Sequence, residues 1–166
     1  HGMGYISKNR DQESIILDAT ILENMVIPSY KKLAKCGYIT LGREKALAAE
    51  QVRSLSIKFR SVRQNVRELS GGNKQKVAFG KWFGNESEIF ILDCPTRGVD
   101  VGVKTAMYQL LMRMKAEGKA VMMITEELPE LIGMSDRIII MKNGEIQMEY
   151  ARSPELSESY IIRDMI

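Results

Sequence analysis

The chain has 166 residues, 45% hydrophobic and 27% charged, with 24 basic against 21 acidic side chains and a net charge of +3. That length suits one globular domain of usual size, and the charge balance argues against nucleic acid as a partner. Apolar runs such as Val121-Met122-Met123-Ile124 fall far short of the roughly 20 residues that cross a bilayer. No secretory signal is read, and Cys36 and Cys94 make neither a disulfide framework nor a zinc site, so a reducing cytoplasm is expected.

Gly4-Tyr5-Ile6 reads as a short strand giving way to the polar run from Ser7 to Gln12. Thr20-Ile21-Leu22-Glu23 has the spacing of a capping box, so a helix is expected from Thr20, stopped by Pro28. A second helix is predicted from Leu41 to Leu55, with Ala48, Val52 and Leu55 on one face and charged residues opposite. Ser56 to Glu68 reads as irregular and basic, its Arg60, Arg63 and Arg67 forming a solvated surface. Ser70 then caps a helix running to about Gly84, whose apolar side carries Val77, Ala78 and Phe79.

The remainder alternates strand and helix. Ile89 to Asp93 reads as a buried strand; Val103, Ala106, Met107, Leu110, Leu111 and Met114 recur at helical spacing from about Gly102 to Glu117, and Gly118 ends that helix. Ala120 to Thr125 is expected to be another buried strand, and Glu127 to Gly133 a short helix. Asn143-Gly144, between Ile138–Met141 and Glu145–Tyr150, is a hairpin signal, and Ser153-Pro154-Glu155 opens a last helix. Buried strands joined through helices imply an α/β fold with a parallel sheet and the hairpin appended. The eleven methionines fall mostly on strands and apolar helix faces, where methionine is ordinary core filler.

Two runs carry chemistry. Leu69-Ser70-Gly71-Gly72-Asn73-Lys74-Gln75 places a hydroxyl and two glycines at a helix start, where unpaired N–H groups and the positive dipole end favour an anion such as phosphate. Ile89-Phe90-Ile91-Leu92-Asp93-Cys94-Pro95-Thr96 delivers one carboxylate, Asp93, at the C-terminal end of a strand, where α/β sheets place their ligands. A phosphate loop of the form G-x-x-x-x-G-K-S/T is not found. The nearest run, Gly98 to Thr105, has Val103 where a glycine should precede the lysine, and no buried strand leads directly into Gly98.

In this order and spacing the two runs resemble the signature motif and Walker B strand of an ATP-binding cassette (ABC) ATPase. Leu69–Val77, Asp93–Gly102 and Leu128–Arg137 look like the second cassette of bacterial sugar-importer ATPases, a group handling monosaccharides, with relatives that import nucleosides. Gly4–Arg10 is similar to the segment those cassettes carry where others have the Q-loop. The resemblance implies a partial P-loop NTPase-like cassette: a parallel sheet core with a helical subdomain and a C-terminal β-hairpin, its first strands and phosphate loop lying upstream. Residues 1–12 would end a core strand and form the Q-loop-like segment, 13–85 the helical signature subdomain, and 86–166 the Walker B half. It also implies a second ABC cassette and membrane permease subunits as partners, a solute-binding protein indirectly, and a place on the inner face of the cell membrane.

By that resemblance each ATP lies between one phosphate loop and the facing signature. Ser70, Gly71 and Gly72 would then serve nucleotide held by the other cassette, with Gln75 as a helper. Asp93 would hold Mg2+, and Asp100 matches the family's interface aspartate, unless it is an N-cap or both. Three positions depart from the family pattern. Cys94 stands where a glutamate polarises water, and a thiol with a reference pKa of about 8.5 cannot replace a carboxylate ionised at neutral pH. Glu126 stands where most cassettes carry a histidine, and Lys8 where an acidic residue is usual. No catalytic residue is therefore assigned, and this cassette's own site is expected to turn over little. Two readings stay open: an asymmetric half of a transport ATPase, or a non-hydrolytic coupling or regulatory module that holds a permease or a partner cassette.

Overall fold

The structure, a computed structural model, describes residues 2–165. The chain divides into two compact units between Ile124 and Thr125.

At the centre of the first unit is a parallel sheet of three strands, β1 (Met3–Ile6), β2 (Ile89–Asp93) and β3 (Ala120–Ile124), in the order β1-β2-β3. Register places Phe90 between Gly4 and Val121, and Leu92 between Ile6 and Met123. Because strand side chains alternate between faces, this set points to one side, where Ile6, Phe90 and Leu92 are wholly buried. The helix α4 (Gly71–Phe83) covers that side: Trp82 packs over Gly4, and the Phe83 ring lies 5.4 Å from that of Phe90. The opposite face shows Met3, Tyr5, Ile89, Met122 and Ile124 to solvent.

The expectation of a buried third strand therefore needs correcting. Val121, Met122 and Ile124 are 36%, 56% and 46% exposed. An apolar run reports that a strand tolerates burial on both faces, not that both faces are covered.

Around the sheet lie α1 (Ile21–Val26), α2 (Tyr30–Leu33), α3 (Leu41–Ser54) and α5 (Val101–Ala116). α1 opens with the expected capping box: Thr20 Oγ1 accepts from Glu23 N–H at 3.1 Å, and Thr20 N–H donates to Glu23 Oε2 at 2.7 Å. Thr20→Ala is expected to lower stability by about 1 kcal/mol, read as a shift in the urea midpoint at unchanged slope. α1 ends at Val26, just before Pro28 as expected, yet the proline does not turn the chain out of helical geometry. It sits in the first turn of a 3-10 segment (Ile27–Ser29) leading into α2, where a missing N–H breaks no bond. α3 buries Ala48 and Val52 as its periodicity predicts, and Leu55 just beyond its end is buried with them. The polar run after β1 folds into one π-helical turn, Arg10–Ser14, held by Ser7 N–H donating to Ser14 Oγ at 2.8 Å.

The second unit contains α6 (Leu128–Met134), an antiparallel hairpin of β4 (Arg137–Lys142) and β5 (Glu145–Ala151), and α7 (Glu158–Met165). Asn143 and Gly144 turn the hairpin with φ of 53° and 82°, the doubly positive pair that a tight hairpin turn requires. Ile138, Ile140 and Ile161 form its small core. The last helix begins later than its proline suggests. Ser153 to Leu156 make a turn that seats Leu156 on that core, and only then do Tyr160 and Ile161 N–H donate to the Ser157 carbonyl. No helix among the described residues is long and apolar enough to cross a membrane.

Candidate functional site: the start of α4 and the end of β2

Ser70 precedes α4 with extended backbone and is exposed. Its Oγ accepts from Asn73 N–H at 3.5 Å and Asn73 Nδ2 at 3.0 Å. A hydroxyl has two acceptor positions and one donor, so this arrangement leaves the Ser70 O–H to donate outward. Asn73 is fixed in turn because its Oδ1 accepts from Lys58 N–H at 2.9 Å.

Gly71 is exposed and Gly72 half-buried. A Cβ on Gly72 would lie 2.5 Å from Val103 Cγ2 in the first turn of α5, so the two helices start side by side. Asp100 caps α5, its Oδ1 accepting from Val103 N–H at 2.9 Å, which bears out the N-cap reading of that residue. Neither helix carries an acidic residue in its first turn. The start of α5 is met by the Asp100 carboxylate, but that of α4 is capped by a neutral serine, so its positive potential and unpaired N–H donors stay open, the physical requirement for an anion grip. Lys104 lies inside the first turn of α5, and β2 ends at Asp93, so Gly98–Thr105 is a turn and a capped helix start rather than a loop springing from a strand.

Asp93 is the last residue of β2, half-buried and paired with Ile124 of β3. Among the described residues nothing donates to its carboxylate, and no group of three or more His, Cys, Asp or Glu forms a metal cage. A lone open carboxylate on a strand end fits magnesium, which takes one or two carboxylates and completes its shell with waters and phosphate oxygens. The following residue, Cys94, adopts φ 46°, a left-handed backbone uncommon for a residue with a side chain. Its N–H donates to the Ile124 carbonyl at 2.8 Å and its carbonyl accepts from Arg97 N–H at 3.1 Å, which holds the turn.

Gln75 is buried, and both ends of its amide are engaged by protein: Nε2 donates to the Pro95 carbonyl at 2.7 Å, and Oε1 accepts from Arg10 at 3.3 Å. It braces α4 against the turn after β2. Arg10 ends the Q-loop-like run, and no local sequence signal singles it out. Its NH1 also donates to the Gly71 carbonyl at 3.0 Å, and its Nε to Asp11 Oδ1 at 2.6 Å; Lys74 Nζ reaches Asp11 Oδ2 at 3.1 Å. Burial pushes the Asp11 carboxyl up, but the Arg10 guanidinium and Lys74 ammonium outweigh it and hold the group below its ordinary value. No local pattern links residues 61 positions apart. Lys8 is exposed in the same segment, and Glu126 is exposed in the second unit just before α6.

Comparison with known proteins follows this geometry. The ABC transporter family matches residues 2–97. The ribose import ATP-binding protein RbsA of Geobacillus kaustophilus is 42% identical over 147 residues, 89% of this chain and 30% of that protein. The RbsA of Bacillus subtilis is 43% identical over 148 residues, again 89% of this chain and 30% of its own length. The chain thus spans about a third of the curated relatives it matches. Among solved structures, a dimeric post-hydrolysis state of the ATP-binding cassette MJ0796 bound to ADP and Pi superposes with a TM-score of 0.76 at 25% identity, over 90% of this chain and 62% of that one. A putative metal-chelate type ABC transporter in an inward-facing conformation shares the fold alone, with a TM-score of 0.79 at 13% identity over 97% of this chain and 63% of its own. With its helical half, its signature-like turn and its Walker B-like strand all inside the matched segment, the chain belongs to the ABC transporter family.

Proposed function

We propose that the chain is the signature-bearing part of a cassette that powers a sugar importer, and that Ser70, Gly71 and Gly72 grip the triphosphate of ATP held by a second cassette. The observation that carries this reading is the exposed, serine-capped start of α4 lying against the start of α5. The Ser70 O–H and the first amides of α4 would point at a γ-phosphate, and the missing side chains at 71 and 72 let it approach closely. Asp100, at the same surface, would meet the partner cassette. Asp93 would hold Mg2+, which when bound neutralises charge developing on the transferred phosphoryl. With Cys94 in place of a water-polarising carboxylate, the cassette's own site would turn over slowly. The relatives' ribose import points to a monosaccharide as cargo and to permease subunits, fed by a solute-binding protein, on the inner face of the membrane.

The test is ATP turnover by the assembled two-cassette ATPase. Ser70→Arg puts a long cation where the phosphate would sit and is expected to abolish turnover at the facing site, while the thermal midpoint falls only by the few degrees that a lost helix cap costs. Full turnover with Ser70→Arg would overturn the reading. That outcome would favour the second one, to which Cys94 lends support: a non-hydrolytic coupling module.

A further inference from the structure

We infer that Arg10 is a positioning residue for the signature turn, clamping the start of α4 to the segment after β1 and, through Gln75, to the turn that follows the magnesium carboxylate. The inference rests on the proposed role of Ser70–Gly72 and deepens it.

The geometry is specific to an arginine. One planar fork serves three acceptors: NH1 reaches the Gly71 carbonyl and Gln75 Oε1, while Nε reaches Asp11. The side chain is only 20% exposed, so its bonds to Asp11 and Gln75 are partly shielded from water, while the one to the exposed Gly71 lies at the surface. The placement also runs against simple electrostatics, because a cation near the positive end of a helix is disfavoured. Asp11 offsets that by bridging Arg10 and Lys74 from outside the helix. The anion thus supports the helix start without occupying the free amides of Ser70–Gly72, which an acid in the first turn of α4 would do.

Gln75 completes the brace. It receives from Arg10 and donates to Pro95, two residues past Asp93. The signature turn and the carboxylate end of β2 are therefore joined through two side chains, so a displacement of the segment after β1 is passed to both. Removing the guanidinium frees α4 to pivot about its buried middle, where Val77, Ala78 and Phe79 keep it folded.

The experiment is a double-mutant cycle on ATP turnover in the same two-cassette ATPase. Arg10→Met is expected to lower kcat about tenfold, the scale of losing a charge-assisted hydrogen bond, with the half-saturating ATP concentration within twofold and a thermal midpoint that falls by a few degrees yet stays well above the assay temperature. Gln75→Met should lower it comparably, and the double variant by less than twofold further, because both act through one brace. Arg10→Lys should fall with Arg10→Met, since one ammonium nitrogen cannot stand both where NH1 meets Gly71 and Gln75 and where Nε meets Asp11. Losses that multiply, full activity with Arg10→Lys, or activity that falls in step with melting would each overturn the inference. If Ser70→Arg is silent as well, the signature reading itself has failed; if Ser70→Arg abolishes turnover while Arg10→Met is silent, only the brace has.

Discussion

Replacing Phe90 with alanine should remove about 3–5 kcal/mol of stability, the range for deleting a buried aromatic ring. The site has little means of collapsing around the loss. Phe90 is wholly buried in the central strand, its backbone pinned to Gly4 on one side and Val121 on the other. Its ring meets Phe83 at 5.4 Å, so the void would open between sheet and α4. Domains of this kind have about 5–15 kcal/mol in total, and the variant would lose a large part of it. Urea denaturation gives the number. Met122→Ala on the uncovered face, where the side chain is 56% exposed, is the control and should stay within about 0.5 kcal/mol. Equal costs for the two variants would mean that the sheet is not built on one covered face. The consequence for the site is direct, because Asp93 is three residues along the strand that Phe90 anchors.

What the sequence made legible was whatever a few neighbouring residues decide among themselves. Thr20 with Glu23, Ser70 before two glycines, Asp100 before α5 and Asn143-Gly144 each satisfy a local backbone need, and each stands where its spacing placed it. Pro28 closes α1 without ending the helical path, and Pro154 precedes its helix without opening it, for one reason: a proline forbids a bond at its own nitrogen but does not say whether the chain needs one there. At Pro28 it does not, and at Pro154 the packing of Leu156 delays the helix. The exposure of β3 was invisible because composition cannot say which face finds a cover. Arg10 was invisible for a different reason. Its partners Gly71 and Gln75 lie a whole helical segment away, and only the parallel pairing of β1 with β2 and the packing of α4 on that sheet bring them within reach.

Gly71 and Gly72 look interchangeable in sequence, yet substitution should separate them sharply. A Cβ on Gly71 would find only Arg10 NH2, at 4.0 Å, whereas one on Gly72 would stand 2.5 Å from Val103 Cγ2. Valine branches at Cβ and has few rotamers in a helix, and Asp100 fixes the start of α5, so the methyl cannot turn aside cheaply. Alanine is favoured over glycine in helices by up to about 1 kcal/mol, which opposes the clash; overpacking costs about 1–3 kcal/mol and should win at 72 but not at 71. Gly72→Ala is therefore expected to destabilise and Gly71→Ala to be neutral or mildly stabilising, measured by urea midpoints. Adding Val103→Ala to Gly72→Ala should recover most of the loss, and a stabilised Gly72→Ala would show that the helix starts do not touch. The repaired double variant then isolates chemistry from packing. If its fold is restored while turnover of the two-cassette ATPase stays low, the glycine at 72 keeps α4 against α5 and also keeps bulk away from the phosphate, two demands that only a bare backbone meets at once.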